Sequence, residues 1–267
     1  MDTVALQKKA NQLRKDIVQM IGPCKVGHLG GSCSLADIVT VLYYDIMRLD
    51  PQNPAWPQRD RFLLSKGHAA LIQYAALGDL GYFPKEEEKT LKTLGSRLQG
   101  HPDMCRLPGI EANTGSLGQG LSIAAGMAAG LRLDKIDARV YCCLGDGELA
   151  EGQVWEAAMA AGIFRLNNLT AIVDVNGLQA TGTVENRFDS QPYLEKFEAF
   201  RWNVIEVDGH DIGQLKTAFQ QAIGEKEKPT VLLAKTIKGK GFDFAENVVA
   251  FHNGQMTQEQ FDKAMQC

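Results

Sequence analysis

The sequence predicts an α/β fold in which a mainly parallel β-sheet is flanked by helices. Short apolar or β-branched segments alternate along the chain with longer segments of helical periodicity, and this alternation is typical of βαβ units. The 267 residues, 45% of them hydrophobic and 22% charged, are enough to bury a large core. Because no repeat and no Pro-, Gly- or Ser-rich linker divides the chain, we expect one domain over residues 1–267, with a less regular C-terminal tail from about residue 242.

The predicted elements follow the hydrophobic pattern in chain order. Residues 1–21 carry apolar side chains at helical spacing among charged ones, which indicates an amphipathic core helix rather than a secretory signal. Short apolar runs predict strands at 61–64, 140–144, 169–175, 204–207 and 230–234. Longer segments of helical periodicity predict helices at 35–47, 68–80, 118–133, 149–164, 192–200 and 212–223.

Charge and hydropathy exclude two classes of partner. The 28 Lys and Arg residues are outnumbered by 32 Asp and Glu, so the net charge of −4 provides no basic surface for nucleic acid. The uncharged segment 112–131 has the length of a membrane span, but its Asn, Ser, Thr and Gln residues and five glycines make it too polar to insert. We therefore expect a cytoplasmic protein that binds neither nucleic acid nor membrane.

The six cysteines do not indicate a metal site or a disulfide framework. They include no C-x-x-C pair, and Cys142 and Cys143 are neighbours inside a predicted strand, so their side chains should point to opposite faces. We expect the cysteines to act as small hydrophobic residues.

Gly, His, Asp and Asn residues cluster directly after the five predicted strands. Parallel strands end at the same edge of a sheet, and ligands bind in the crevice outside that edge. The sequence therefore predicts a ligand site where these loops converge, although His210, in an Asp-Gly-His turn, is expected to be structural. The loops are residues 65–68, 145–147, 176–177, 208–210 and 235–241.

Asp146 and Asn176 are the candidate metal ligands in these loops. An Asp-Gly pair alone is typical of a turn, but here it follows a strand, and Asn176 follows the next strand 30 positions later. A βαβ unit places neighbouring strand ends within about 5 Å of each other, so one hard cation can contact both side chains. Carboxylate and amide oxygens, completed by water and phosphate, are the usual ligands of Mg²⁺. The helix expected from about residue 149 would direct its N-terminus at the anion.

These residues belong to a series of motifs that resembles the transketolase family. Gly145-Asp146-Gly147 with Asn176 is similar to the thiamine diphosphate-binding motif. The resemblance extends in the family's order from Gly27-His28 to His252, nearly the whole chain. The further motifs are Ser65-Lys66-Gly67-His68, Gly100-His101-Pro102-Asp103, Thr114 to Gly120, Glu148 to Gly152, and Lys238-Gly239-Lys240-Gly241.

The resemblance implies the thiamine diphosphate-binding fold, as the diphosphate-binding domain, and a role for each matching residue. It implies thiamine diphosphate and Mg²⁺ as cofactors, with Ca²⁺ or Mn²⁺ as substitutes for Mg²⁺. The implied metal ligands are Asp146, Asn176 and the carbonyl of Leu178. The implied cofactor-binding residues are His68, Gly115, Leu117, Gly147, Asn176, Lys238 and His252. The implied catalytic residues, which handle the hydroxyls and the carbonyl of a ketose, are His28, His101 and His252.

The implied activity is transfer of a two-carbon ketol unit from a ketose to an aldose, normally sugar phosphates. Full-length transketolases continue through a pyrimidine-binding domain and a third domain, whereas this sequence stops at Cys267. We therefore expect a separate C-terminal subunit, an α2β2 heterotetramer by the preference for two-fold symmetry, and no activity without that partner. After Gly27-His28 the chain has Leu29-Gly30-Gly31 where many family members have Pro, which leaves donor preference open.

Two alternatives share the cofactor fold. An α subunit of a 2-oxo acid dehydrogenase would use the cofactor oxidatively, but the set of His28, His68 and His101 suits a polyhydroxylated substrate. A non-catalytic cofactor-binding subunit would have lost the chemistry, but Asp146 and Asn176 are intact.

One helix face consists of small residues. Gly118, Ser122, Gly126 and Gly130 recur every four positions in the uncharged segment. Each interior glycine costs about 1 kcal/mol relative to Ala unless close packing compensates. The sequence predicts a tight contact on this face, either across a subunit interface or with the sheet inside the domain.

Overall fold

A five-stranded parallel sheet forms the centre of the structure, a computed structural model that describes residues 1–266. The strands of the molecule are β1 (Val26–Gly27), β2 (Arg61–Leu64), β3 (Val140–Gly145), β4 (Leu169–Val175), β5 (Leu178–Gln179), β6 (Gly182–Thr183), β7 (Asn203–Asp208), β8 (Thr230–Lys235) and β9 (Gly254–Gln255). The order in the central sheet is β2-β3-β4-β8-β7, and every neighbouring pair runs parallel. The α/β prediction is thereby confirmed.

The five strands of the central sheet were all predictable from apolar runs. β2 and β4 have the predicted bounds, β3 and β8 extend one residue further, and β7 extends one residue at each end. Strands β3, β4 and β8 are almost continuously buried, because helices cover both faces of the sheet.

Helices pack on both sides of this sheet. The core on one side involves α1, α3, α4 and α9, and the core on the other side involves α5, α6 and α8. Cys143 belongs to the first core and Cys142 to the second, as predicted, whereas Cys267 lies outside the described residues. The helices are α1 (Thr3–Ile21), α2 (Leu29–Ser34), α3 (Ala36–Val41), α4 (Ala70–Asp79), α5 (Gly120–Leu133), α6 (Gly152–Ile163), α7 (Val184–Phe188), α8 (Tyr193–Ala199), α9 (Ile212–Gly224) and α10 (Gln258–Gln266).

Several predicted helices differ from the observed ones. The helix expected at 68–80 is α4, which begins at residue 70 after a 3-10 turn at Gly67–Ala69. The helix expected at 35–47 consists of α3 followed by a π-helical turn at Leu42–Ile46, and α2 precedes it where no helix was predicted. The helix expected from 118 begins at 120, because Gly118 has a φ of 84°. The helix expected from 149 begins at 152. A 3-10 turn at Gly147–Ala150 precedes it, and the backbone of Glu151 is extended.

The small-residue face of α5 is not packed against the sheet. Among residues 1–266, a Cβ atom added to Gly126 or Gly130 would have no heavy atom within 4 Å outside the helix itself and the adjacent residues. The intradomain contact, one of the two sequence hypotheses, is therefore wrong at these two positions. No helix among residues 1–266 combines the length and the apolarity needed to cross a bilayer.

Short elements outside the central sheet join distant parts of the chain. β1 pairs antiparallel with β9, which holds residues 26–27 beside residues 254–255. The segment after Gly241, expected to be less regular, contains a 3-10 turn at Val249–His252, then β9, then α10. β5 and β6 form a small antiparallel hairpin directly after β4.

Candidate active site

A cavity of about 230 Å³ lies at the carboxyl edge of the sheet. Its walls come from the loops after β2, β3, β4 and β8, from the hairpin, and from the segments that precede α2, α5 and β9. Every residue to which the family resemblance gives a role lines this cavity, except His101. The lining residues with an implied role are His28, His68, Gly115, Leu117, Asp146, Gly147, Asn176, Leu178, Lys238 and His252.

Asp146 and Asn176 lie at adjacent strand ends, because β3 and β4 are paired with Gly145 opposite Asp174. The Asp146 carboxylate is 2% exposed and accepts hydrogen bonds from the backbone N–H groups of Gly147, at 2.8 Å, and Gly177, at 2.5 Å. Burial and the nearby Asp174 carboxylate raise the pKa of Asp146 to about 6. The site thus holds a buried carboxylate whose charge the chain does not fully neutralise, and a cation would stabilise it.

Three histidines from distant segments form one wall. The ring centroids of His28, His68 and His252 are 4.9 to 5.8 Å apart. Burial lowers the pKa of His28 to about 4, with Lys92, His101 and Lys238 adding to the effect. Burial and Lys238 lower the pKa of His252 to about 4, and burial and Lys66 lower that of His68. All three rings are therefore neutral at pH 7 and can each accept and donate a hydrogen bond.

Lys238 places a buried positive charge in the cavity. Its side chain is 3% exposed, and its Nζ donates to the carbonyl of Leu178 at 3.0 Å. Within residues 1–266, no carboxylate lies at ion-pair distance from it. Burial and the neighbouring Lys66 lower its pKa to about 8, so it remains mostly protonated at pH 7. Since an unpaired buried ammonium is costly, this wall fits an anionic ligand.

The remaining predicted residues lie at the entrance or shape the backbone. His101 is exposed and its ring borders Gly115, where an added Cβ would approach it to 2.8 Å. Gly115 has a backbone φ of 146°, a value that residues other than glycine rarely adopt. A Cβ atom on Gly147 would come within 3.1 Å of the Gln179 side chain. A residue with a side chain would therefore crowd the hairpin at this position, whereas glycine leaves the backbone accessible from the cavity.

Sequence reasoning gave no role to three buried charged residues at the cavity, although two of them, Lys66 and Glu148, belong to the motifs and line the cavity. Lys66 forms an ion pair with Asp174, and both are nearly inaccessible to solvent. Glu148 accepts hydrogen bonds from Ser65 Oγ and from two glycine N–H groups, and so connects the loop before α5 to the end of β3. One signal was available in the sequence, because Asp174 lies in the mainly apolar segment of β4. A charged residue in a buried strand requires a partner of opposite charge, here Lys66.

His210 has the structural role that the turn predicted. Its Nδ1 lies 2.8 Å from Asp37 Oδ2, and its Nε2 accepts from the Ile237 N–H at 2.8 Å. The ring thereby joins α3 to the loop after β8.

Comparison with known proteins agrees with this geometry. A family model described as "Transketolase, thiamine diphosphate binding domain" matches residues 5–266. The chain is 44% identical over 262 residues to the 6-deoxy-6-sulfo-D-fructose transketolase subunit SqwG of Clostridium sp. (strain MSTE9), covering 98% of this chain and 95% of that one. It is 40% identical over 264 residues to one subunit of the apulose-4-phosphate transketolase of Phocaeicola vulgatus, covering 99% and 93%.

Solved structures support the same assignment. The transketolase of Leishmania mexicana superposes with a TM-score of 0.92 at 32% identity, over 97% of this chain and 40% of that one. The chain thus spans about two-fifths of that transketolase and nearly the full length of the two subunits. These matches support neither a 2-oxo acid dehydrogenase subunit nor a non-catalytic protein. The chain belongs to the transketolase family, in which it corresponds to the N-terminal, thiamine diphosphate-binding part.

Proposed function

We propose that this chain is the N-terminal subunit of a two-chain transketolase and that its cavity holds the diphosphate of thiamine diphosphate. The observation that carries the proposal is Lys238, a buried ammonium that no carboxylate pairs among the described residues. The nearby His252 Nδ1 is also buried without a hydrogen-bond partner. A phosphate oxygen satisfies both groups, because it accepts hydrogen bonds and carries negative charge.

The divalent cation belongs beside Asp146 and Asn176, with the carbonyl of Leu178 as a third ligand. Within the described part of the chain, no cluster of three or more His, Cys, Asp or Glu side chains forms a metal site. One carboxylate and two neutral oxygens instead favour Mg²⁺, which takes its remaining ligands from water and phosphate. Ca²⁺ and Mn²⁺ accept the same oxygen ligands.

Bound thiamine diphosphate supplies a nucleophilic carbon and an electron sink for cleavage of the carbon–carbon bond next to the ketose carbonyl. The chain contributes groups that bind and exchange protons with the sugar. His28 and His252 are neutral and half-buried in the cavity, so each can accept a proton from a hydroxyl and return it. His101, at the entrance, can hydrogen-bond a more distant hydroxyl.

The donor substrate is a ketose with an anionic terminal group. The two subunit relatives are named for apulose 4-phosphate and for a sulfonated fructose. We infer a donor with a phosphate or a sulfonate at the end remote from the carbonyl, and an aldose as acceptor.

The partner is a separate C-terminal subunit, in an α2β2 heterotetramer in the cytoplasm. The similarity to proteins named as subunits supports a separate partner. A second support is the apolar surface of α5 and α6, where a groove of about 310 Å³ is lined mostly by alanine and glycine. We assign this face to contact with the C-terminal subunit. Its exposed apolar side chains are Leu133, Met159, Ile163 and Phe164.

The test is reconstitution. The chain alone, with thiamine diphosphate and Mg²⁺, should show no ketol transfer, and activity should appear when the C-terminal transketolase subunit is added. Donors compared at equal concentration are fructose 6-phosphate, 6-deoxy-6-sulfofructose and apulose 4-phosphate, with glyceraldehyde 3-phosphate as acceptor. Full activity of the chain alone would contradict the two-chain proposal, and absence of cofactor binding by the complex would contradict the site assignment.

A further inference from the structure

The Asp174 side chain is a buried acceptor for four donors at the end of β4. It is 0% exposed and lies two residues before Asn176. Its Oδ2 accepts from Lys66 Nζ, from Ser34 Oγ at 2.7 Å and from Asn176 Nδ2 at 3.0 Å, and its Oδ1 accepts from Thr236 Oγ1. The donors come from the ends of β2 and β8, from α2 and from the loop after β4.

This arrangement determines which way the Asn176 amide faces. An ionised carboxylate only accepts hydrogen bonds, so it must meet the NH₂ group of the amide and not its oxygen. The amide oxygen is therefore turned away from Asp174. It accepts from the Leu178 N–H at 3.1 Å, which uses one of its two lone pairs, and Asn176 lines the cavity.

Stability alone is a poor explanation for the buried charges. Desolvation of an ion pair as deep as Lys66 and Asp174 costs about as much as the attraction returns, and apolar residues of similar size often serve equally well. An apolar residue at 174, however, would leave the Asn176 NH₂ group without its acceptor, so that the Leu178 N–H alone would orient the amide.

We propose that Asp174 is a positioning residue that fixes the Asn176 amide with its oxygen toward the divalent cation of the cofactor. This inference rests on the proposed function, in which Asn176 is a metal ligand. Substitution of a residue that orients a metal ligand typically lowers metal affinity about 10- to 100-fold. Asp174 touches neither cofactor nor substrate in this scheme and acts only through Asn176.

The experiment measures Mn²⁺ affinity of the assembled enzyme by electron paramagnetic resonance at saturating thiamine diphosphate. Asp174→Asn should weaken Mn²⁺ binding about 10- to 100-fold. The control is Ser34→Ala, which removes a hydrogen bond to the same carboxylate oxygen without touching Asn176 and should change the affinity less than about threefold. Equal affinities in wild type and Asp174→Asn, or equal losses in both variants, would overturn the inference.

A second pair of variants covers the case in which Asp174→Asn alone does not fold. The Lys66→Gln variant is compared with the double variant Lys66→Gln/Asp174→Asn. Neither of them contains a buried Lys66 ammonium that has lost its carboxylate partner. The double variant should bind Mn²⁺ at least about tenfold more weakly than the single one, and equal affinities would overturn the inference. Failure of the proposed function is distinguishable, because Mn²⁺ would then bind wild type and Asp146→Ala equally.

Discussion

Replacing Lys238 by Met should leave the isolated chain at least as stable as wild type and at the same time weaken cofactor binding. Methionine is close in length to lysine, fills the same buried space and carries no charge. The side chain is 3% exposed, so the substitution removes a buried ammonium rather than a solvated one. A residue whose buried charge binds a ligand is expected to lower the stability of the free chain and to raise its affinity for that ligand.

The magnitudes follow from the environment of the ammonium. Its pKa is lowered from 10.5 to about 8, which at about 1.4 kcal/mol per pH unit disfavours the charged form by about 3 kcal/mol. The variant loses a charged hydrogen bond to the Leu178 carbonyl, worth about 1.5–3 kcal/mol. We therefore expect a net gain between zero and about 1.5 kcal/mol, which corresponds to a Tm that is equal or higher by up to about 5 °C. Loss of the charged contact to phosphate should weaken cofactor binding about 10- to 150-fold.

Differential scanning calorimetry of the chain and titration calorimetry of the complex provide the two measurements. Lys240→Met is the matched control, because Lys240 lies in the same loop but is partly exposed and pairs with Glu246 at 3.5 Å. It should change cofactor affinity less than about threefold. If Lys238→Met binds thiamine diphosphate like wild type, or if it destabilises the chain by several degrees, the anion-site reasoning is wrong.

Four further predictions concern other residues. Asp146→Ala should abolish metal-dependent cofactor binding with the fold intact, and unchanged affinity in calorimetry of the complex would refute its role. His28→Ala and His101→Ala should each lower turnover at saturating cofactor about 10²-fold, and wild-type rates would show that both are structural. Burial and two nearby aspartates raise the pKa of Glu88 from 4.5 to about 8. The folded state therefore retains a proton that the unfolded chain releases, and stability falls as pH rises from 4.5 to 8. Glu88→Gln should raise the unfolding free energy near pH 8 by on the order of 2 kcal/mol and leave it unchanged near pH 5. The measurement is chemical denaturation of wild type and variant at both pH values, and the same difference between them at pH 5 and pH 8 would contradict the prediction. Gly126→Leu should leave the Tm of the chain equal or higher, since no atom of the described residues outside α5 lies within 4 Å of its Cβ position. The same substitution should weaken assembly with the C-terminal subunit, measured by analytical ultracentrifugation. Assembly equal to that of wild type would show that α5 does not contribute to the interface.

Much of the fold was predictable because it depends on local pattern. Strands buried by helices on both faces consist of continuous apolar residues, so β2 and β4 could be bounded correctly from sequence. The adjacency of Asp146 and Asn176 follows from the βαβ connection, which pairs β3 with β4. Helix starts were less predictable. Gly118 and Glu151 adopt non-helical backbone conformations that periodicity does not reveal.

The sequence by itself determined the sheet, the edge at which the loops converge and most of the residues that line the cavity. Only the tertiary structure decided which of them meet. His28 and His252 are neighbours because β1 pairs with β9, and two-residue strands have no periodicity that a sequence can display. The Asp174 hydrogen bonds and the unpaired charge of Lys238 likewise depend on segments far apart in the chain. The cost of burying a charge depends on everything packed around it, and that is a property of the folded chain rather than of a local pattern.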